Sequence, residues 1–353
     1  KPLEPLKQNK VYYIDIKTDS GDIVTFAFQT KREFKVLGTL PADTSGNVPP
    51  DTGIEIYFSY PDVENIEKFF EISPKVDGRF ENHGYTTVFI PKNRLQPGTI
   101  YEITVKKGLT AANGLVALED DYVFAFETSP DSNSTADPYP GYLSFEDSWI
   151  EFGTAEKPVI PFSIHLSSNP ESVGVNLSVY RFRTIEDFVM AIKEREEIPS
   201  WAYYTRGRAM TDTSKLEKVM EFSQNFNLTV WQSRYMMFPE SLPHGHYLLE
   251  LSCGDLKAQA FMQISDISAY AISDKDRTLL WLNDIKTGKT VSNASIYDYT
   301  TKNSARTDRD GLAVLPARLG DNDREEYSLL LYEVTTSDQR KSLINAGYVY
   351  RTY

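Results

Sequence analysis

A single cysteine, Cys253, is all the chain carries, so no internal disulfide can form and its folds must stand on packing. That suits either the cytosol or a bacterial exterior that does without disulfides. No apolar run approaches the roughly 20 residues that a membrane-crossing helix needs. Basic residues are too few to balance the acidic ones. The net charge is −13, no Lys/Arg run offsets it, and such a chain repels nucleic acid and anionic membrane surfaces. Heptads, low-complexity tracts and glycine-rich phosphate loops are missing. So is the Gly-x-Ser-x-Gly elbow of one large class of serine hydrolases. The chain opens Lys-Pro-Leu, with neither an initiator Met nor a signal peptide, and any targeting segment is expected to lie outside it.

Aromatic residues are plentiful. With 22 Tyr and 19 Phe in 353 residues, the composition favours sheets over helical bundles, and the length suits about two or three domains. One stretch is written twice. Leu6, Tyr12, Ile14 and Ile16, followed by Phe26-Ala27-Phe28-Gln29-Thr30, recur as Leu95, Tyr101, Ile103 and Val105, followed by Phe124-Ala125-Phe126-Glu127-Thr128. The Leu-to-Tyr spacing is the same in both, and apolar residues then alternate at the period of a strand with one buried face. Residues 34 to about 94 precede the second copy and read as strands, whereas the first copy has almost nothing before it. By the logic of repeats, the first copy is expected to be the tail of a domain whose front is missing.

Between the copies, Ile54, Ile56 and Phe58 alternate after a Pro49-Pro50-Asp51-Thr52-Gly53 turn, Ile66 to Phe70 reads as a short helical turn, and Val88–Pro91 as a strand. Leu95–Thr99 reads as a turn. Ser129–Gly141 is polar and proline-rich and reads as a linker. Further on, Thr184 is placed to cap a helix over Ile185–Glu197, with Glu186 and Asp187 in its first turn and Pro199 ending it. From Val219 the apolar residues fall on even numbers, which predicts a strand. Tyr247–Cys253 and Gln259–Ile264 follow as strands. After Ile267, strands are expected near 279–282, 295–299, 312–315, 327–333 and 346–350, with Asp310-Gly311 as a hairpin-type turn.

Three of these blocks, Pro50–Ser59, Leu95–Tyr101 and Phe124–Thr128, resemble the bacterial Ig-like domain of the S-layer SbsA type. Gly245–Glu250 with Ala260–Asp266 resembles the run "G-x-Y-x-v-x … q-x-f-x-Q-v-t-d" that ends a macroglobulin-like domain. Trp281–Val291 with Ala294, Ile296 and Thr307–Leu312 resembles the next domain of the same proteins, "W-v-x-D-x-x-T-G-k-P-V-x-g-A-x-v … T-d-x-d-G", with Thr290 in place of the usual Pro. Together they resemble bacterial alpha-2-macroglobulin-like proteins, which are large secreted or membrane-anchored protease traps. The resemblance implies an all-β chain of tandem Ig-like and macroglobulin-like antiparallel β-sandwich domains, with one short helix in the middle domain. It divides the chain into a hairpin remnant of a preceding Ig-like domain (1–33), an Ig-like domain (34–129), a linker (130–141) and two macroglobulin-like sandwiches (142–266 and 267–353). The linker is expected to be the freest hinge and the junction at 266–267 stiffer.

No catalytic, cofactor or metal residue is assigned, and the chain is expected not to be an enzyme. A macroglobulin thioester needs Cys-x-Glu-Gln, and Cys253-Gly254-Asp255-Leu256 has Leu256 where the acyl-forming Gln belongs. Cys253 shares a strand face with Tyr247, Leu249 and Leu251, which makes it a core residue. Of His83, His165, His244 and His246, the pair His244-x-His246 has metal-ligand spacing on a strand; Pro243 and Gly245 place it in a turn instead. Asp308-x-Asp310-Gly311 and Asp321-x-Asp323 echo calcium loops, but the twelfth position from Asp308 is Leu319 rather than Glu, and solvated turns are expected. Asn133, Asn176, Asn227 and Asn293 begin Asn-x-Ser/Thr triplets that carry little meaning in a bacterial chain. Tyr139, Tyr142, Trp201, Tyr203 and Tyr204 suit either a sugar platform or packing.

The reading is thus a structural and interaction arm, in the extracellular space or cell envelope. Its partners are the rest of its own chain and, for the whole protein, target proteases. No cofactor is implied, and neither nucleic acid nor membrane insertion. The alternatives are a surface adhesion or carbohydrate-binding array and an accessory region of a secreted hydrolase.

Overall fold

The structure is a computed structural model describing residues 2, 4, 6, 7 and 9–348, apart from 112–115, 131–140, 169, 230–233, 274–276 and 317–328. It forms two compact bodies, residues 1–134 with 198–209, and residues 135–197 with 210–353.

The first body opens with an antiparallel hairpin of β1 (Val11–Lys17) and β2 (Ile23–Gln29), in which Tyr12 faces Phe28, Ile14 faces Phe26 and Ile16 faces Val24. Next come β3 (Val36–Leu40), β4 (Ser45–Val48), β5 (Ile54–Phe58), β6 (Val63–Glu64) and β7 (Phe70–Ser73). They lead to β8 (Gly78–His83), β9 (Thr86–Pro91), β10 (Ile100–Val105), β11 (Thr110–Ala111) and β12 (Tyr122–Thr128). Two four-stranded sheets, β3-β5-β9-β8 and β4-β12-β10-β7, both contribute to two hydrophobic clusters. Ile54, Ile56 and Phe58 bury alternate side chains from one sheet, and Tyr101, Ile103, Val105, Phe124 and Phe126 do so from the other. Alternation along each strand makes this possible, since a period of two sends every second side chain inward.

Residues 198–209 pack with this first body although their chain neighbours on both sides belong to the second. They contain a helix, Tyr203–Arg208, that the sequence reading did not foresee. Its first amides are held by Glu127, whose carboxylate accepts hydrogen bonds from the backbone N–H of Tyr204 at 2.9 Å and of Thr205 at 2.6 Å. The helix N-terminus offers unpaired N–H groups and partial positive charge, so a carboxylate buried there is satisfied twice over. Tyr204 Oη donates to Asn47 Oδ1 at 2.9 Å, and Gly46 leaves room for the Trp201 carbonyl, which lies 3.1 Å from where a Cβ would stand.

In the second body, β13 (Tyr142–Phe145), β14 (Trp149–Phe152), β15 (Val159–His165) and β16 (Ser172–Arg181) precede the helix Ile185–Glu196. After it come β17 (Glu217–Asn227), β18 (Arg234–Met237), β19 (Gly245–Cys253) and β20 (Leu256–Ile264). The sheets β13-β15-β18 and β14-β20-β19-β16-β17 close over Ile160, Phe162, Val175, Leu177, Val179, Met236, Tyr247, Leu249 and Met262. The remaining strands are β21 (Ile267–Ser273), β22 (Arg277–Asp284), β23 (Lys289–Thr290), β24 (Ser295–Asp298), β25 (Ser304–Arg306), β26 (Leu312–Pro316), β27 (Leu329–Thr335) and β28 (Lys341–Tyr348). Strands β21, β22, β23 and β26 form one sheet and β25-β24-β27-β28 the other, around Leu280, Leu282, Ile296, Ala313, Tyr332 and Val334.

The helix Ile185–Glu196 begins as expected, with Thr184 Oγ1 accepting from the Asp187 N–H at 3.1 Å. Its Ile185, Phe188, Val189 and Ile192 join Leu248 and Phe261 from the outer face of the five-stranded sheet, and Leu331 and Leu343 from β27 and β28. Strand β19 is therefore buried on both faces, odd residues toward its own sandwich and Leu248 toward the helix. Among the described residues the fold is all-β sandwiches with two short α-helices where one was expected. The linker predicted at 129–141 lies almost wholly outside the described residues.

Candidate functional site

A polar cluster of the second body sits where β20 and β28 meet. Gln263 stands opposite His246 in the β19–β20 ladder, on the face that carries Leu248 and Phe261. Its Oε1 accepts from the Leu343 N–H at 2.7 Å and from His246 Nε2 at 3.0 Å. Its Nε2 donates to the Leu343 carbonyl at 3.0 Å and to Glu151 Oε1 at 3.1 Å. The amide thus spends its full capacity of two donors and two acceptor sites, and pairs with Leu343 as a neighbouring strand would. This network places the His246 proton on Nε2. Beside it, Ser265 and Ser342 hydroxyls meet at 2.5 Å, and His244 Nε2 donates to the Lys341 carbonyl at 2.8 Å.

Charges surround the amide. Lys341 Nζ lies 2.9 Å from Glu333 Oε1 and 3.0 Å from Glu186 Oε1, and Glu333 Oε2 accepts from the Tyr299 hydroxyl at 2.6 Å. The Glu333 carboxylate, followed by Glu186, raises the Lys341 ammonium above its ordinary range. Burial and then Glu333 push the Tyr299 phenol up. Burial lowers His246 to about 4, against which its bond to Gln263 pulls weakly. These contacts join the helix Ile185–Glu196 to β27 and β28, and β27 to Tyr299.

Nearby carboxylates are used the same way. Asp266 accepts from Thr154 N at 2.8 Å and Thr154 Oγ1 at 2.7 Å. Asp284 accepts from the N–H of Lys286 and Thr287, closing the turn at Gly288, and takes Arg340 at 2.9 Å. Burial works against its ionised form, but those N–H groups and Arg340 outweigh it and hold the carboxyl below its usual range.

The residues singled out in the sequence fare differently. Cys253 lies in the core beside Leu251, and burial pushes its thiol up. His246 is not in a turn but in β19, because the strand starts at Gly245; only His244 precedes it, with ring centroids 6.5 Å apart. Among the described residues, no group of three or more His, Cys, Asp or Glu is placed to hold a metal. Asp308 closes its turn by accepting from the N–H of Asp310 and Leu312, both at 2.9 Å, while Asp321, Asp323, Asn133 and Tyr139 lie outside the described residues. Of the aromatics, Tyr204 is tied to Asn47 and Tyr203 is 76% exposed. Gln263 and Glu127 went unrecognised; the one signal for Gln263 was its place as the capital Q of the resembling run.

Residues 30–128 match the family model of a bacterial Ig-like domain. No curated protein matches the sequence. Among solved structures, the chain is similar to native alpha-2-macroglobulin from Escherichia coli spanning domains MG0-NIE-MG1, at 16% identity over 89% of this chain and 97% of that one, with a TM-score of 0.41. The NIE-MG1 structure is 17% identical over 59% of this chain and 97% of that one, TM-score 0.39. A cryo-EM reconstruction of the native conformation is 16% identical over 89% of this chain and 19% of that one, TM-score 0.29. Likeness at these levels concerns fold and carries nothing about function.

Within residues 30–128, the role of Glu127 is testable. Glu127→Gln replaces an acceptor oxygen by an NH2 group facing an N–H, and removes the charge that strengthens both bonds. It is expected to cost about 2 kcal/mol and to make residues 198–209 the first site of limited proteolysis, located by mass spectrometry. Unchanged cleavage order and midpoint would show that Glu127 does not hold the segment.

Proposed function

We propose that this chain is part of the non-catalytic structural and interaction arm of a larger bacterial alpha-2-macroglobulin-like protease trap. The observation that carries this reading is what the resembling positions do. Gln263 and Asp266 tie strands together, Asp284 closes a turn, and Gly311, at φ +79° with the Leu282 carbonyl 2.7 Å from any Cβ, lets two chains pass. Positions used in this way build sandwiches and the joint between them. In this reading 34–129 is the Ig-like domain, 130–141 the linker, and 142–266 and 267–353 two macroglobulin-like sandwiches. The place of action is the extracellular space or the cell envelope. The partners are the rest of the polypeptide and, for the whole protein, proteases. The net charge of −13 opposes nucleic acid, and among the described residues no helix is long and apolar enough to cross a membrane. An adhesion role finds less support, since Tyr204 is engaged within the first body.

The isolated chain is expected neither to hydrolyse peptide, ester or glycoside substrates nor to trap a protease on stoichiometric mixing. A stable complex with loss of proteolysis would overturn the reading. Independently, sequencing beyond residue 353 should reveal Cys-x-Glu-Gln; anchoring repeats or a catalytic motif there would favour the alternatives.

A further inference from the structure

The hairpin β1–β2 repeats the closing hairpin of the Ig-like domain bond for bond. Tyr12 Oη accepts from the Lys7 N–H at 2.7 Å, and Tyr101 Oη from the Gln96 N–H at 2.8 Å. Thr30 Oγ1 donates to the Lys7 carbonyl at 2.6 Å and accepts from the Lys10 N–H at 2.9 Å. Thr128 Oγ1 does the same with the Gln96 carbonyl at 2.6 Å and the Thr99 N–H at 3.0 Å. Asn9, at φ +51°, bonds the Lys31 carbonyl where Gly98, at φ +56°, bonds that of Ser129. Ring pairs Tyr12–Phe28 and Tyr101–Phe126 lie 5.7 and 5.9 Å apart.

The two copies differ in what covers them. In the Ig-like domain β10 lies between β12 and β7, β12 has β4 on its far side, and the opposite sheet buries the face. The hairpin is a sheet of two strands with both outer edges unpaired among the described residues. Ile14 is 48% and Phe26 54% exposed, whereas their counterparts Ile103 and Phe124 are at 0% and 1%. A lone hairpin with bare apolar residues is marginal in water, and its open edges invite pairing.

We infer that residues 6–31 are the closing hairpin of another Ig-like sandwich, whose remaining strands come from the same polypeptide ahead of residue 1 and cover this face. The strand equivalent to β7 pairs with β1, the equivalent of β4 runs parallel to β2, and a sheet like β3-β5-β9-β8 closes over Tyr12, Ile14, Ile16, Phe26 and Phe28. A second copy of the chain is a poor occupant: the strands of its own Ig-like domain are already buried, and its exposed β1–β2 hairpin supplies two strands where β10 and β12 are covered by β4, β7 and a four-stranded sheet. The inference rests on the repeat and stands whether or not the protease-trap reading does.

The test compares hydrogen–deuterium exchange of the natural-length polypeptide with that of the 353-residue chain. Amides of Tyr12–Ile16 and Val24–Phe28 are expected to exchange at least tenfold more slowly in the longer protein. Its preceding residues should carry an alternating apolar strand like Ile54–Phe58 roughly forty residues before Leu6. Equal exchange in both proteins, or the absence of such a strand, would overturn the inference. So would protection already present in the 353-residue chain that vanishes on dilution, since the occupant would then be a second copy.

Discussion

Replacing Gln263 by leucine is expected to cost about 3–5 kcal/mol, because it strands buried groups on two strands at once. The Leu343 N–H and carbonyl lose the only hydrogen bonds described for them outside their ladder, and His246 Nε2 is left facing an apolar side chain. Each unsatisfied buried group costs on the order of 1–3 kcal/mol, and leucine returns part of that through apolar burial. Denaturant unfolding followed at Trp149 and Trp281 is the measurement. The loss should be accompanied by faster amide exchange along Lys341–Ile344, the part of β28 that contains Leu343, with little change in Val175–Val179. A loss below about 1 kcal/mol, or exchange raised equally in both segments, would show that the amide is not what holds β28 to β20.

The second large effect concerns acid. His246 is neutral when folded, with a pKa lowered to about 4 chiefly by burial, while an unfolded histidine titrates near 6.5. The unfolded chain therefore binds the extra proton first as pH falls. The stabilisation is fully present above about pH 6.5, is lost progressively between there and about pH 4, and falls no further below that. At about 1.4 kcal/mol per pH unit the full loss is about 3 kcal/mol. Around the ring, His244 disfavours its charge, and Glu333 and Glu186 favour it. The difference between wild type and His246→Gln isolates the histidine: between pH 7 and pH 4 the wild type is expected to lose about 3 kcal/mol more than the variant. Equal losses would mean that burial does not hold the His246 pKa below that of the unfolded chain.

Much of the local structure was legible. The even-numbered apolar residues of β17 alternate inward as anticipated, with Met220, Phe222 and Phe226 packed against the core. Thr184, Glu186 and Asp187 announced the helix start, because a cap and two acids near the dipole act within one turn of chain. The twofold writing of Leu-to-Tyr showed up as one hydrogen-bonded corner built twice. The polar keystones were not legible. Nothing near Glu127 announces that it will bind amides 77 and 78 residues away, and Gln263 meets Leu343 across 80 residues.

The amino-acid sequence on its own determined what depends on neighbours along the chain: period-two strands, a capped helix, turns at Asp308 and Gly288, and a cysteine with no partner. Those follow from backbone geometry and side-chain chemistry within a few residues. Tertiary structure decided the rest. It sent β19 into two cores, carried residues 198–209 to a body other than that of their chain neighbours, and turned a glutamine, a histidine and a glutamate into fasteners. Their hydrogen bonds are strong because they are buried, and burial is a property of the assembled fold that no local pattern contains.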